Sequence, residues 1–404
     1  MEWKEVRLGD VCTRVCSGGT PKSTNLSYYG GEIPWLNTKE IDFNRIYFTE
    51  KTITDSGLNN SSAKWIVPNT VTVAMYGATA GKSCIVKVPM TTNQACCNLT
   101  INDEVADYEF VYYSLKNDYT TLASLANGGA QQNLNAQIIK DYVLKMPSLA
   151  DQRRIASILS SLDRKIELNN KINADLEEMA QAIFKNWFVD FEPFKDGKFV
   201  DSELGMIPEG WKVGRLDEIA DVIGGSTPSK AKPEYYTQKG IAWLTPKDLS
   251  NHPAVYSSRG EIDITKEGYN STSTKLMPKG TVLFTSRAPI GYISIAQNDI
   301  CTNQGFKSLV PRKAGTCFLY CFLKYVTPEI ENKSTGSTFK EASGALMKSL
   351  QVIMPEQKVF EEFEEIVSPL FARIESLEKE STRLSLLRDT LLPRLMSGEL
   401  EVPD

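Results

Sequence analysis

The first 147 residues of this 404-residue chain are written out a second time, with an offset that stays between 207 and 210 positions. Trp3-Lys4-Glu5-Val6-Arg7-Leu8 returns as Trp211-Lys212-Val213-Gly214-Arg215-Leu216, and Gly18-Gly19-Thr20-Pro21-Lys22-Ser23 as Gly225-Ser226-Thr227-Pro228-Ser229-Lys230. Tyr28-Tyr29 returns as Tyr235-Tyr236. Ile33-Pro34-Trp35-Leu36-Asn37-Thr38-Lys39 returns as Ile241-Ala242-Trp243-Leu244-Thr245-Pro246-Lys247. Thr92-Asn93-Gln94 recurs unchanged as Thr302-Asn303-Gln304, and Met146-Pro147 as Met354-Pro355. A chain of this length exceeds one ordinary core, so the repeat predicts two similar domains. Two similar surfaces at a fixed separation suit a two-part ligand.

Each copy is followed by a segment of a different texture. From Asp151 onward, apolar residues fall at Ile155, Leu159, Leu162, Ile166, Ile172, Leu176, Met179, Ile183 and Trp187, with Asn169 in one expected apolar slot. Steps of three and four describe a helical seam close to a heptad. After the second copy the same spacing runs through Phe363, Val367, Leu370, Ile374, Leu377, Leu384, Leu387 and Leu391, with Ser381 in one slot. Pro369 is expected to kink or delay this second helix and Pro393 to end it. Two single-seam helices bury their seams most simply on each other, as an antiparallel coiled-coil pair. The seam residues are Leu159, Leu162, Ile166, Leu176 and Ile183 on the first helix, and Leu370, Ile374, Leu377, Leu384 and Leu391 on the second.

Within each copy, short β-branched runs alternate with turn residues. Val71–Met75, Ser83–Val88, Thr281–Phe284 and Tyr292–Ala296 read as strands, whereas Phe110–Leu115 and Phe318–Leu323 read as helical. The expected class is α+β: two mostly-β domains and two long helices with an internal pseudo-twofold. The expected organisation is a first domain over 1–150, a central helix over 151–192, a connector over 193–210, a second domain over 211–355, and a distal helix with a C-terminal segment over 356–404.

The net charge of −5 conceals an uneven distribution. The first copy, 1–150, has 13 basic and 14 acidic residues, whereas the second, 211–355, has 18 basic and 12 acidic. The acidity sits between and after the copies, so each copy can still present a local basic face to phosphates. No apolar run reaches the length of about 18 residues needed to span a bilayer, and the first residues lack signal-peptide character. A cytoplasmic location without membrane association is expected. The eight cysteines form no Cys-x-x-Cys pair, and His252 is the single histidine. They read as buried reduced thiols rather than metal ligands.

Catalytic motifs are missing. Gly77-Ala78-Thr79-Ala80-Gly81-Lys82-Ser83 resembles a P-loop but has three residues between its glycines instead of four, and a strand-like run follows it. No dinucleotide fingerprint occurs, and a single histidine excludes most histidine-based acid–base schemes. What remains is a set of polar, glycine-flanked loops, present twice. The first copy offers Thr20, Lys22, Ser23, Thr38, Lys39, Tyr76, Gln131 and Gln132 as DNA-contacting candidates. The second offers Thr227, Ser229, Lys230, Thr245, Lys247, Ser286, Arg287, Ser337 and Lys340. Lysine and arginine contact phosphates or guanine edges, and glutamine can bond adenine bidentately. Thr92-Asn93-Gln94, identical in both copies, reads as structural, and divergent positions such as Tyr76 and Ser286 as better readers of sequence.

These motifs resemble the specificity subunit of type I restriction–modification enzymes. The resemblance covers essentially the whole chain. It rests on the duplicated Gly-Gly-Thr-Pro-Lys-Ser and Ile-Pro-Trp-Leu-Asn-Thr-Lys patterns and on Asp151-Gln152-Arg153-Arg154-Ile155-Ala156 opening the central helix. Trp187-Phe188-Val189-Asp190-Phe191, Gly205-Met206-Ile207-Pro208-Glu209-Gly210-Trp211 and the ending Leu391–Leu400 complete it. One departure is Pro355-Glu356-Gln357-Lys358, where the second helix opens in a shortened form. The resemblance implies two target recognition domains that each read half of a bipartite double-stranded DNA site, with the helices as spacer. It also implies docking of two methyltransferase subunits and a restriction/translocase subunit. S-adenosylmethionine, ATP and Mg would be carried by those partners, with no cofactor, metal or catalysis in this chain. The alternative is a non-catalytic coiled-coil adaptor whose duplicated β domains bind protein or glycan.

Overall fold

A computed structural model of the chain describes residues 2–126, 133–334 and 340–402. It divides into two compact units, residues 1–166 with 383–404 and residues 167–382. The boundaries do not coincide with the repeat. They cut both long helices, so each unit is one mostly-β domain together with a portion of each helix.

In the first unit the central sheet has five strands in the spatial order Cys12–Ser17, Cys96–Ile101, Val71–Ala74, Ser83–Val86, Arg45–Ile46. All neighbours are antiparallel except the last pair, which is parallel. The second unit repeats this order with Ala220–Gly224, Lys307–Pro311, Val282–Ser286, Ile290–Ala296 and Tyr256–Ser257, again with a final parallel pair. The inner strands are β-branched and buried on both faces, which is why they read as short continuous apolar runs. Each domain is closed by its own ends. Lys4–Arg7 pairs with Val143–Met146, and Lys212–Arg215 with Gln351–Met354. The registers Lys4↔Met146 and Lys212↔Met354 are both displaced by 208, so this closing pair is repeated to the residue.

The long helices are Leu149–Phe188 and Gln357–Met396, 40 residues each. Their starts and their ends are both 208 apart, so the shortened opening read at Pro355–Lys358 is not realised. Pro369 does not delay the second helix, and Pro393 does not end it. Both prolines are exposed, where a lost amide hydrogen bond leaves only water-accessible carbonyls.

Within the first unit, Ile155 and Leu159 share a core with Phe110, Leu392 and Leu395. Within the second, Ala180, Phe184 and Phe188 pack with Phe318, Phe360, Phe363 and Ile374. Each fully buried Phe or Leu contributes about 1.5–3 kcal/mol, which makes these helix segments part of the domain cores. Of the expected seam, Leu159, Ile374 and Leu377 are fully buried. Leu162, Ile166, Leu176, Ile183, Leu370, Leu384 and Leu391 are half-buried, with Asp163, Ala180, Phe184, Phe371 and Leu392 deeper beside them. Met179 and Leu387, also on the expected seam, are about half exposed, at 52% and 46%. The buried stripe is wider than a two-residue seam because each helix faces both its partner helix and a β domain. The two polar slots meet: in the second unit Asn169 Nδ2 donates to Ser381 Oγ at 3.3 Å and to Glu380 at 2.9 Å.

Candidate nucleic-acid interface

In each domain the polar loops flagged by sequence gather around one scaffold of duplicated residues. In the first, Gly19 N donates to Thr92 O at 2.8 Å, Asn93 N to Leu36 O at 2.9 Å, and Trp35 Nε1 to Gly19 O at 2.9 Å. Tyr29 OH donates to Pro21 O at 2.6 Å, and Thr20 Oγ1 donates to Gln94 Oε1. In the second, Ser226 N donates to Thr302 O at 3.0 Å, Asn303 N to Leu244 O at 2.9 Å, and Trp243 Nε1 to Ser226 O at 3.1 Å. Tyr236 OH donates to Pro228 O at 2.6 Å, and Thr227 Oγ1 to Gln304 Oε1. Burial raises the phenol pKa of both tyrosines, keeping them protonated as donors.

This clamp explains the glycines. A Cβ on Gly18 would lie 2.1 Å from Thr92 O, and one on Gly225 2.2 Å from Thr302 O and Asn303 O. Only glycine allows so close a backbone approach. The loop that follows is therefore pinned at its base while Lys22, Ser23, Ser229 and Lys230 stand exposed on it.

The neighbouring turns attach to the same scaffold. Asn93 Nδ2 donates to Asn37 Oδ1 at 3.2 Å, and Asn37 N is capped by Glu40 at 3.0 Å. Thr245 N is capped by Asp248 at 2.7 Å in the same way. Thr38 is half-buried and its carbonyl accepts from Thr79 Oγ1 at 2.9 Å. Thr245 is also half-buried. Lys39 is exposed and ion-paired with Glu50, which raises its pKa through a hydrogen bond and charge. Lys247 pairs with Glu261 at 3.7 Å in the matching place. The P-loop-like stretch forms a 3-10 turn at Gly77–Thr79 followed by the strand Ser83–Val86, so no helix N-terminus is offered to a phosphate.

Tyr76 is 40% exposed beside this cluster, and its backbone bridges to Asn133. Its counterpart Ser286 is buried, with its hydroxyl donating to Gly305 O at 3.2 Å. The exposed chemistry at that place is supplied instead by Arg287, half-buried and 3.3 Å from Glu341, which also lies 3.5 Å from Lys307. Lys340 is exposed and bonds Glu331 O at 3.2 Å. Gln131, Gln132 and Ser337 lie outside the described residues; the chain flanking them returns to the cluster, with Leu134 N bonding Met75 O and Ala342 N bonding Ser286 O. Sequence reading missed Lys307 and Glu341, which belong to no repeated motif, and set aside Gln94 and Gln304 because they are identical. Among the described residues no helix is long and apolar enough to cross a membrane.

The comparisons with known proteins agree with this architecture. The profile of the type I restriction modification DNA specificity domain matches twice, over residues 1–178 and 208–385. The specificity subunit of the type I restriction enzyme MjaIX of Methanocaldococcus jannaschii is 30% identical, covering 100% of this chain and 94% of that one. The HindI specificity subunit of Haemophilus influenzae is 23% identical over 99% of this chain and 100% of its own. The crystal structure of a type I restriction–modification S subunit from M. genitalium superposes with a TM-score of 0.60 at 19% identity, covering 100% of this chain and 97% of that one. With two matched domains, end-to-end likeness to such subunits and the same fold, the chain belongs to the family of type I restriction–modification specificity subunits.

Proposed function

We propose that each recognition domain reads one half of a bipartite duplex-DNA sequence through its loop cluster, and that the paired helices set the gap between the halves and dock two methyltransferase subunits. The observation that carries this reading is the pairing of a duplicated scaffold with divergent exposed side chains. The clamp of Trp35, Tyr29 and Gly18 recurs as Trp243, Tyr236 and Gly225, while Tyr76 gives way to a buried Ser286 with Arg287 beside it, and Lys22 to Ser229. A common frame with different readers is what two unlike half-sites require. Lys22, Lys39, Lys230, Lys247 and Arg287 supply the positive charge that duplex binding needs. The chain itself acts by binding. Methyl transfer with S-adenosylmethionine, and translocation and cleavage with ATP and Mg, fall to its methyltransferase and restriction subunits.

The test is methylome sequencing of a host expressing this chain with its methyltransferase partner. The expected outcome is one new methylated motif made of two short blocks and a fixed gap. An intact, assembled methyltransferase that leaves no new motif, together with no salt-sensitive binding of the complex to duplex DNA, would favour the adaptor reading instead.

A further inference from the structure

Besides Lys39 and Lys247, the loop clusters keep an exposed glutamine and the threonine that meets it in both copies. Thr20 and Thr227 are the same residue, as are Gln94 and Gln304, and in both domains the threonine hydroxyl donates to the glutamine Oε1. Both glutamines are exposed, and the Nε2 of each makes no hydrogen bond among the described residues. Packing does not demand glutamine at such a position, because no core surrounds it and water can satisfy the threonine. The hydrogen bond instead fixes the carboxamide and leaves two N–H donors available to a ligand.

An exposed residue kept in both copies, while nearby loop positions such as Lys22 and Ser229 differ, fits a ligand feature common to both sites. On the reading proposed above, the two half-sites differ in bases and share only the sugar–phosphate backbone. The charge around each glutamine suits a phosphate. Lys22 and Lys230 stand on the adjoining loops and form no ion pair among the described residues, while the exposed Lys39 and Lys247 each have an acid beside them, Glu50 and Glu261, in water-screened pairs. We propose that Gln94 and Gln304, oriented by Thr20 and Thr227, each donate to a backbone phosphate at the equivalent place in their half-sites. They fix the position of the recognition domain without reading sequence.

The experiment measures equilibrium binding of the subunit, assembled with its methyltransferase, to a cognate and to an unrelated duplex. Gln94→Ala and Gln304→Ala should each weaken both duplexes by the same factor, about ten- to a hundredfold, as for one hydrogen bond to a charged group. The methylated motif and the Tm should not change. Thr20→Val, which removes only the orienting bond, should weaken binding less. On cognate duplexes carrying one methylphosphonate at a time, the Gln94→Ala penalty should vanish at one position in one half-site and the Gln304→Ala penalty at the equivalent position in the other. Wild-type affinity in both alanine variants, or a penalty that survives every methylphosphonate, overturns the proposal. So does an altered motif, which would make the glutamines readers of bases. Failure of the wild-type complex to bind any duplex would instead refute the DNA-reading function itself.

Discussion

Arg287 is the residue at which the difference between the two recognition domains is most exposed. Its guanidinium is held by Glu341, an exposed enough pair to be worth little in stability, so its removal should be felt in binding rather than in folding. Arg287→Ala should relax the motif at one half-site by about 1–3 kcal/mol of discrimination and leave the other half unchanged. Equal loss on all sequences in a binding assay would make it a phosphate contact. Glu378 is a different kind of residue. It accepts backbone hydrogen bonds from Val255 at 2.7 Å and Tyr256 at 3.1 Å, yet burial, reinforced by Glu177 and Glu375, pushes its pKa from 4.5 up to about 7. A folded pKa above the unfolded one means stability is fully present below about pH 4.5 and is lost as pH rises through 7. Chemical denaturation at pH 5 and pH 8 should therefore show this contribution disappearing in the wild type and missing in Glu378→Gln. At this scale the sequence was legible where a residue repeats, as with Trp35 and Gly18. It was not legible where a role depends on depth, as with buried Ser286, because an exposed and a buried serine in a strand end look alike.

At the scale of elements, the junction between β domain and helices is built twice with different chemistry. In the first unit Asp163 accepts from Tyr113 OH at 2.5 Å and Arg388 at 2.7 Å, and lies 3.8 Å from Arg45, which in turn pairs with Glu109 at 3.1 Å. Displacement by 208 carries Glu109, Tyr113 and Asp163 onto Cys317, Cys321 and Phe371, and Arg388 back onto Ala180. Those positions are buried and uncharged. Asp163→Ala would take the shared carboxylate from Arg45 and Arg388, which keep Glu109 and Asp389, and leave the buried Tyr113 hydroxyl without its acceptor, so it should destabilise the first unit by about 1–3 kcal/mol in denaturant unfolding. Phe371→Ala should cost more in the second unit, about 3–5 kcal/mol, through a cavity. Helix existence and length were legible from the three–four spacing. The inward face was read one residue off at Leu162 and Met179, because the spacing reports a partner helix and is silent about a sheet packed on the adjoining face.

For the whole molecule, the sequence repeat announced two domains but not where the compact units divide. That division depends on which residues pack together, and residues 383–404 join the first 166 although they are far away along the chain. The spacer role of the helices is tested by length. One extra helical turn after Ile172, matched in the facing stretch of the second helix, should lengthen the gap in the methylated motif. An unchanged gap would refute the ruler. The composition of the first unit also bears on synthesis. Leu392, Leu395 and Val402 complete a core begun by Leu8, Phe110 and Leu159. On the ribosome, the second unit has all of its residues once Thr382 has emerged, whereas the first, although begun earlier, must wait with part of its apolar surface uncovered until the second helix is finished. The half of the protein that is made first is thus the half that finishes folding last.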